Sequence, residues 1–196
     1  MRLFVAVELG PAVAAAAAAL IERLRERAIR LAPRSRITWA TADRLHVTVR
    51  FIGHVDADCA DAVRQVLASP LGQVPFDLTL AGVGTFPHKG PPRVVWSDVT
   101  GGRDSLLAVE QRVSERLARA GIGAEERPYN PHLTLARVRD AGGLRSVALL
   151  EGVGETTLGG TAVEAITLFE SRLSPKGPTY VALQRTAFSG VRLRPD

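Results

Sequence analysis

Two rhythms of apolar residues run through the chain. Short segments alternate apolar and polar positions, the two-residue period of a strand with one covered face; longer ones repeat at three and four residues, the helical period. "RLFVAVEL" is a strand closed by Gly10-Pro11, and Pro11 opens an alanine-rich helix running through "LIERLRERAIRLA". "RITWA" and "RLHVTVRFIG" are two strands divided by the polar "TAD", and Gly53 ends the second. "DADCADAVRQVLAS" follows as a helix whose acidic first turn suits the positive end of the helix dipole. "FDLTLAGVGTFP" and "PRVVWSDV" pair around the proline- and glycine-rich "PHKGPP".

The second half repeats this scheme loosely. "RDSLLAVEQRVSERLARAGI" is a helix stopped by Gly121 and Gly123, and "HLTLARVR" is a strand. "AITLFESRL" and "TYVALQRTAF" are strands joined by "SPKGP". Short strands and a few helices without strict alternation predict an α+β fold rather than a doubly wound sheet. The recurrence of strand, helix and strand predicts two related lobes. No linker composition separates them, so residues 1–196 are expected to form a single domain.

Composition narrows the class. The chain has 196 residues, 46% hydrophobic and 23% charged, which is the balance of a globular protein with one substantial core. Only 5% is aromatic, so the core rests on Val, Leu, Ile and Ala. Lys plus Arg number 25 against 20 Asp plus Glu, and only Lys89 and Lys176 among the cations are lysine. Guanidinium forks suit phosphate, so an anionic partner such as RNA fits; an arginine-preferring lineage would show the same bias. Cys59 is the only cysteine and sits beside aspartates on a helix. It is expected to pack rather than react, and the cytoplasm is the expected setting. The apolar run Ala12 to Ile21 is ten residues, short of the roughly 20 that span a bilayer, so no membrane association is expected.

One pattern does not fit an ordinary half-buried strand. "LHVTVRFIG" and "PHLTLARV" each place a histidine two residues before a threonine. Residues two apart in a strand share a face. His46, Thr48 and Arg50 therefore point one way while Val47, Val49 and Phe51 point the other; His132 and Thr134 repeat the arrangement. Two imidazoles near pKa 6.5 can serve as general base and general acid around neutral pH. Two hydroxyls can donate to phosphoryl oxygens, so the set suits displacement at phosphorus without a metal or other cofactor. The chemistry alone does not say which histidine is acid and which is base. Arg50 lies on the His46 face if the strand stays regular, and Ala136 is its counterpart. Arg137 falls on the face opposite His132 unless the strand twists.

The two His-x-Thr motifs resemble those of the 2H phosphoesterase superfamily, and specifically its bacterial and archaeal RNA 2′,3′-cyclic phosphodiesterase branch, also called 2′-5′ RNA ligases. "MRLFVAVEL", "LHVTVRFIG", "PRVVWSDV", "RPYNPHLTLARV" and "ESRLSPKGPTYVAL" are similar to family segments in the same order, over nearly the whole chain. The resemblance implies a bilobal α+β fold: two pseudo-symmetric lobes of mainly antiparallel sheet with flanking helices, and a cleft between them. It implies that water opens a 2′,3′-cyclic phosphate at an RNA 3′ end, leaving a 2′-phosphate, with 2′-5′ ligation as the reverse reaction. His46 would be the proton donor and His132 the proton acceptor. Thr48, Thr134 and Arg137 would bind the phosphate, with Arg50 a further candidate by strand face. The expected partner is RNA or a nucleotide, and a monomer is expected.

Other readings are weaker. No histidines stand at helical ligand spacing and no cysteine pair accompanies them, against a metal enzyme. Few aromatics and no RNP-like pattern argue against a noncatalytic RNA-binding module. Another cyclic phosphate, on a nucleotide or ADP-ribose, is the runner-up substrate. His54 and His88 do not repeat the pattern, although His88 and Lys89 could touch a nucleotide at the cleft mouth. "SRLSPKGPTY" is either a plain hairpin or a flap that brings Tyr180 over the nucleotide.

Overall fold

Among the described residues, nine strands and four α-helices follow one another as β1 (Arg2–Glu8), α1 (Pro11–Leu31), β2 (Arg36–Trp39), β3 (His46–His54), α2 (Ala57–Leu67), β4 (Phe76–Phe86), β5 (Val94–Gly101), α3 (Arg103–Arg119), β6 (His132–Asp140), α4 (Ser146–Leu150), β7 (Thr157–Val163), β8 (Ala165–Ser174) and β9 (Gly177–Ala187). The computed structural model describes residues 1–125, 127–174 and 177–190. Pro175 and Lys176, in the predicted turn "SPKGP", lie outside the described residues.

The strands form one sheet in the order β7-β4-β5-β6-β3-β1-β8-β9, with β2 also pairing β6. All pairings between these strands are antiparallel. The fold is α+β, as the strand and helix pattern predicts. Its middle is weakly stitched: β3 and β6 meet at a single residue pair, Val47 opposite Leu133. On one side of that seam lie β1, β8 and β9; on the other lie β5, β4 and β7. The seam therefore divides the sheet into two halves, each contributing one His-x-Thr strand.

Helix packing crosses the seam. Helix α1 follows β1 but packs against β7, β6 and α4, while α3 follows β5 and packs against β3 and α2. The buried Leu106, Val109, Val113 and Leu117 of α3 recur at three- and four-residue steps along one face. Gly102 permits the entry to α3: its φ is 73°, and a Cβ there would collide with the Asp77 carbonyl oxygen. Helix α2 is capped by Asp56, whose side chain accepts from the Cys59 amide at 2.8 Å. Cys59 itself is half-buried against the core, consistent with a packing role.

Two elements escape the sequence patterns. Strand β7, "TLGGTAV", contains two glycines that break the alternation, yet it pairs with β4 along its length. Helix α4 has five residues, too few to show a helical period. No helix among the described residues is long and apolar enough to cross a membrane.

Candidate active site

The seam is where the chemistry gathers. With Val47 opposite Leu133 in an antiparallel pair, His46 falls on the side of Thr134 and Thr48 on the side of His132. The two motifs are thus related by a local two-fold axis, with the histidines on opposite corners. His46, Thr48 and Thr134 line a cleft of about 670 Å³, and all three are half-buried. His132, also half-buried, stands at its flank rather than in its wall.

Each imidazole is fixed in the same way. His46 Nδ1 lies 2.7 Å from the Arg44 carbonyl oxygen, and His132 Nδ1 lies 2.8 Å from that of Asn130. A carbonyl only accepts, so Nδ1 carries hydrogen in both rings and donates it. Nε2 is left with the lone pair in each neutral ring, or with the transferable proton in the charged one.

Aromatic walls surround both rings. Phe4 and Tyr180 lie 5.0 and 5.2 Å from His46 between centroids, and Phe86 lies 5.4 Å from His132. Trp96 stacks on Phe86 at 4.9 Å and lies over Gly84, where a Cβ would collide with the indole. These apolar neighbours desolvate the imidazoles, and burial is the main cause that lowers both pKa values. The carbonyl bonds oppose it, and the positive charge of Arg137 lowers both further. Beyond these shared causes the two differ: charge on His132 lowers His46, whereas the Asp98 carboxylate raises His132.

Asp98 owes its position to β5, where it stands opposite His132 in the ladder. It also takes a 3.3 Å contact from Arg103 Nη1, while Arg103 Nη2 donates to the Asn130 side chain at 2.7 Å. Arg103 thereby ties the Asp98 side chain to the residue whose carbonyl orients His132. Tyr129, next to Asn130, donates its hydroxyl to the Thr48 carbonyl at 2.9 Å and so links the approach to one motif with the strand of the other. Burial raises its pKa well above the ordinary tyrosine range, so it stays a donor. Sequence reasoning missed Asp98, Arg103, Tyr129 and Asn130. Position two before each motif histidine, Arg44 and Asn130, was the available signal.

The two arginines exchange standing. Regular alternation would put Arg50 in the cleft, but β3 carries a bulge: Val5 faces Arg50 and Ala6 faces Thr48, leaving Val49 unpaired. The extra residue turns Arg50 to the back of the sheet, where it is 5% exposed. There it donates to the Gly123 carbonyl at 2.5 Å and lies 3.5 Å from Glu125. Arg50 is absent from the cleft wall, which corrects its expected placement on the His46 face. Strand β6 bulges at the matching place, with Val95 facing Ala136 and Trp96 facing Thr134. The same turn brings Arg137 forward into the cleft wall, and in β3 it brings Phe51 forward. No ion pair or hydrogen bond holds the Arg137 guanidinium among the described residues.

Tyr180 lines the cleft, while His88 packs on Phe86 at 5.3 Å outside its wall, and Lys89 also stands outside it. No cluster of three or more His, Cys, Asp or Glu side chains with the arrangement of a metal site occurs among the described residues.

Comparison with known proteins shows what the whole chain is similar to. A family model described as the 2′-5′ RNA ligase superfamily matches residues 11–172. A protein of Aeropyrum pernix named RNA 2′,3′-cyclic phosphodiesterase is 37% identical over 142 residues, covering 72% of this chain and 80% of that protein. One of the same name from Thermotoga maritima is 29% identical over 195 residues, with 99% of each chain covered. Among solved structures, TT0787 of Thermus thermophilus superposes with a TM-score of 0.74 at 27% identity, over 96% of this chain and 98% of that one. E. coli LigT complexed with 3′-AMP gives 0.71 at 28% identity, covering 96% of this chain and 98% of that one.

Proposed function

Because the chain belongs to the 2′-5′ RNA ligase superfamily, we propose that its cleft hydrolyses 2′,3′-cyclic phosphate ends of RNA to 2′-phosphates, with two histidines as acid and base. The carrying observation is the pair of imidazoles, each with Nδ1 bonded to a carbonyl two residues upstream, on either side of one seam.

The reaction proceeds in one displacement. Water attacks phosphorus opposite the 3′ oxygen; His132 Nε2 takes a proton from the water as the new P–O bond forms. His46 Nε2 gives its proton to the 3′ oxygen as that P–O bond breaks. Asp98 supports this division, since its charge favours a proton on His132. Desolvation and the charge of His132 make protonated His46 a readier acid than a free imidazolium. Thr48 and Thr134 donate to the nonbridging oxygens, and Arg137 offsets the charge that builds on them. A 5′-hydroxyl in place of the water would leave a 2′-5′ linkage, the ligation direction.

An oligonucleotide ending in 2′,3′-cyclic phosphate tests the reading. In the presence of EDTA it is expected to give a single product bearing a 2′-phosphate. A 3′-phosphate product would mean that the 2′ oxygen departs and would overturn the assignment; loss of activity on chelation would overturn the metal-free chemistry. Thr48→Val and Thr134→Val keep the branched shape in the strand and remove one donor. Each is expected to reduce kcat/KM by roughly 10- to 100-fold, the loss of about 1–3 kcal/mol carried by a hydrogen bond to a charged group. Steady-state kinetics on the same oligonucleotide measures it.

A further inference from the structure

Among the described residues four arginines line the cleft, Arg2, Arg44, Arg137 and Arg139, and no carboxylate does. One reacting phosphate needs one such cation beside its two hydroxyls. Arg137 is the one whose charge reaches both histidines. Arg44 stands apart from it in the chain, on the short turn that leads into β3, and its carbonyl orients His46.

The Arg44 side chain is held but not satisfied. It is 23% exposed, and its Nε is buried without a hydrogen-bond partner among the described residues. Its ion pair among the described residues is a loose one, from that Nε to Asp43 at 3.8 Å, and the carboxylate is itself solvated. Its Nη1 lies 3.0 Å from where a Cβ would sit on Gly177 at the start of β9, a residue with φ of 107°. Any larger residue there would crowd the guanidinium, so the hairpin leaves a slot for it. Arg50 likewise has a buried Nε without a partner. The terminal nitrogens of Arg50, Arg103 and Arg172 reach carboxylates or carbonyls, however, whereas no bond among the described residues holds those of Arg44. A half-buried cation with its terminal nitrogens unbonded, lining a cleft free of acids, is arranged to meet an anion that comes with the substrate.

Substrate connectivity says which anion. His46 faces the 3′ oxygen in the reaction above, and the ribose chain C3′–C4′–C5′ leads from that oxygen to the next phosphate upstream. That phosphate therefore leaves the site on the His46 side, where Arg44 stands. We propose that Arg44 binds the internal phosphodiester immediately upstream of the terminal cyclic nucleotide, so that the cleft selects an RNA strand over a cyclic mononucleotide. This rests on the function proposed above.

The test compares kcat/KM for a dinucleotide with a cyclic phosphate end and for its analogue with a neutral methylphosphonate linkage. For the unsubstituted protein, neutralising the linkage is expected to cost about tenfold, one charge-assisted contact. In Arg44→Met the penalty is expected to fall below about twofold, while Arg44→Lys, which keeps the charge, retains most of it. In Arg137→Met the linkage penalty is expected to persist, because that cation serves the reacting phosphate. A 5′-phosphorylated cyclic mononucleotide separates the sources: an Arg44-dependent gain with it but none with the dinucleotide would overturn the internal linkage as ligand. Equal rates on charged and neutral linkages, or a penalty unchanged in Arg44→Met, would overturn the subsite. Failure to hydrolyse any of these cyclic phosphates would instead overturn the proposed function itself.

Discussion

Replacing His46 or His132 by alanine is expected to lower kcat/KM for cyclic-phosphate hydrolysis by about 10²- to 10⁴-fold, the range of a positioned acid or base. Each imidazole has its Nδ1 committed to a carbonyl and only Nε2 available for proton transfer, so no other atom of the side chain can stand in. The two losses should not add. Both groups act in the same displacement, and the double variant should be little worse than the poorer single one. Alanine at 46 also removes a ring from contact with Phe4 and Tyr180, so some loss of stability accompanies it. Urea unfolding separates the effects: a folded protein with the stated kinetic loss is the expected outcome, and full activity in either variant would contradict it.

Arg137→Met should show the second largest effect, a fall in kcat/KM of about 10²- to 10³-fold, as when one preorganised donor to a developing anion is lost. The substitution has a signature that a merely structural arginine would not give. Arg137 lowers the pKa of both histidines, so its removal raises both, and the pH–rate profile should move to higher pH as well as downward. Arg50→Met removes a guanidinium from the back of the sheet, where it is tied to Gly123 and Glu125, and should alter stability without moving the profile. A displaced profile in Arg50→Met, with none in Arg137→Met, would reverse their assignment.

The contrast between these arginines shows how far strand periodicity carries. It places His46 with Thr48, and His132 with Thr134, because the pleat is regular between each pair. Beyond the threonine it fails, since a bulge is a property of two paired strands. Nothing within "HVTVRF" reveals that Val49 will lack a partner on β1, nor within "HLTLAR" that Leu135 will lack one on β5. The matching bulges also present unlike residues, Phe51 and Arg137, so comparing the motifs gives no cue. Most elements were legible because their apolar residues face one core. Strand β7 was not, because pairing with β4 overrides the weak propensity of its glycines. The contacts that orient the histidines were hidden for a third reason. Asp98 and Arg103 meet Asn130 and His132 only after β5, α3 and β6 are in place. The side of the seam on which each histidine falls likewise depends on one long-range pair, Val47 with Leu133.

The pH dependence of kcat/KM tests the two-histidine account most directly. That profile reports groups in the free protein: the rate falls on the acid side as the base takes up a proton, and on the alkaline side as the acid loses one. Both imidazoles are pushed below the ordinary histidine value of about 6.5, so the maximum is expected on the acid side of that value. The anionic phosphate favours both imidazolium forms once bound, so the kcat profile should lie at higher pH than the kcat/KM profile. A bell of that form and order is the predicted result. A single-flanked profile, or a kcat/KM maximum well above about pH 8, would contradict a mechanism in which these two histidines share the proton work.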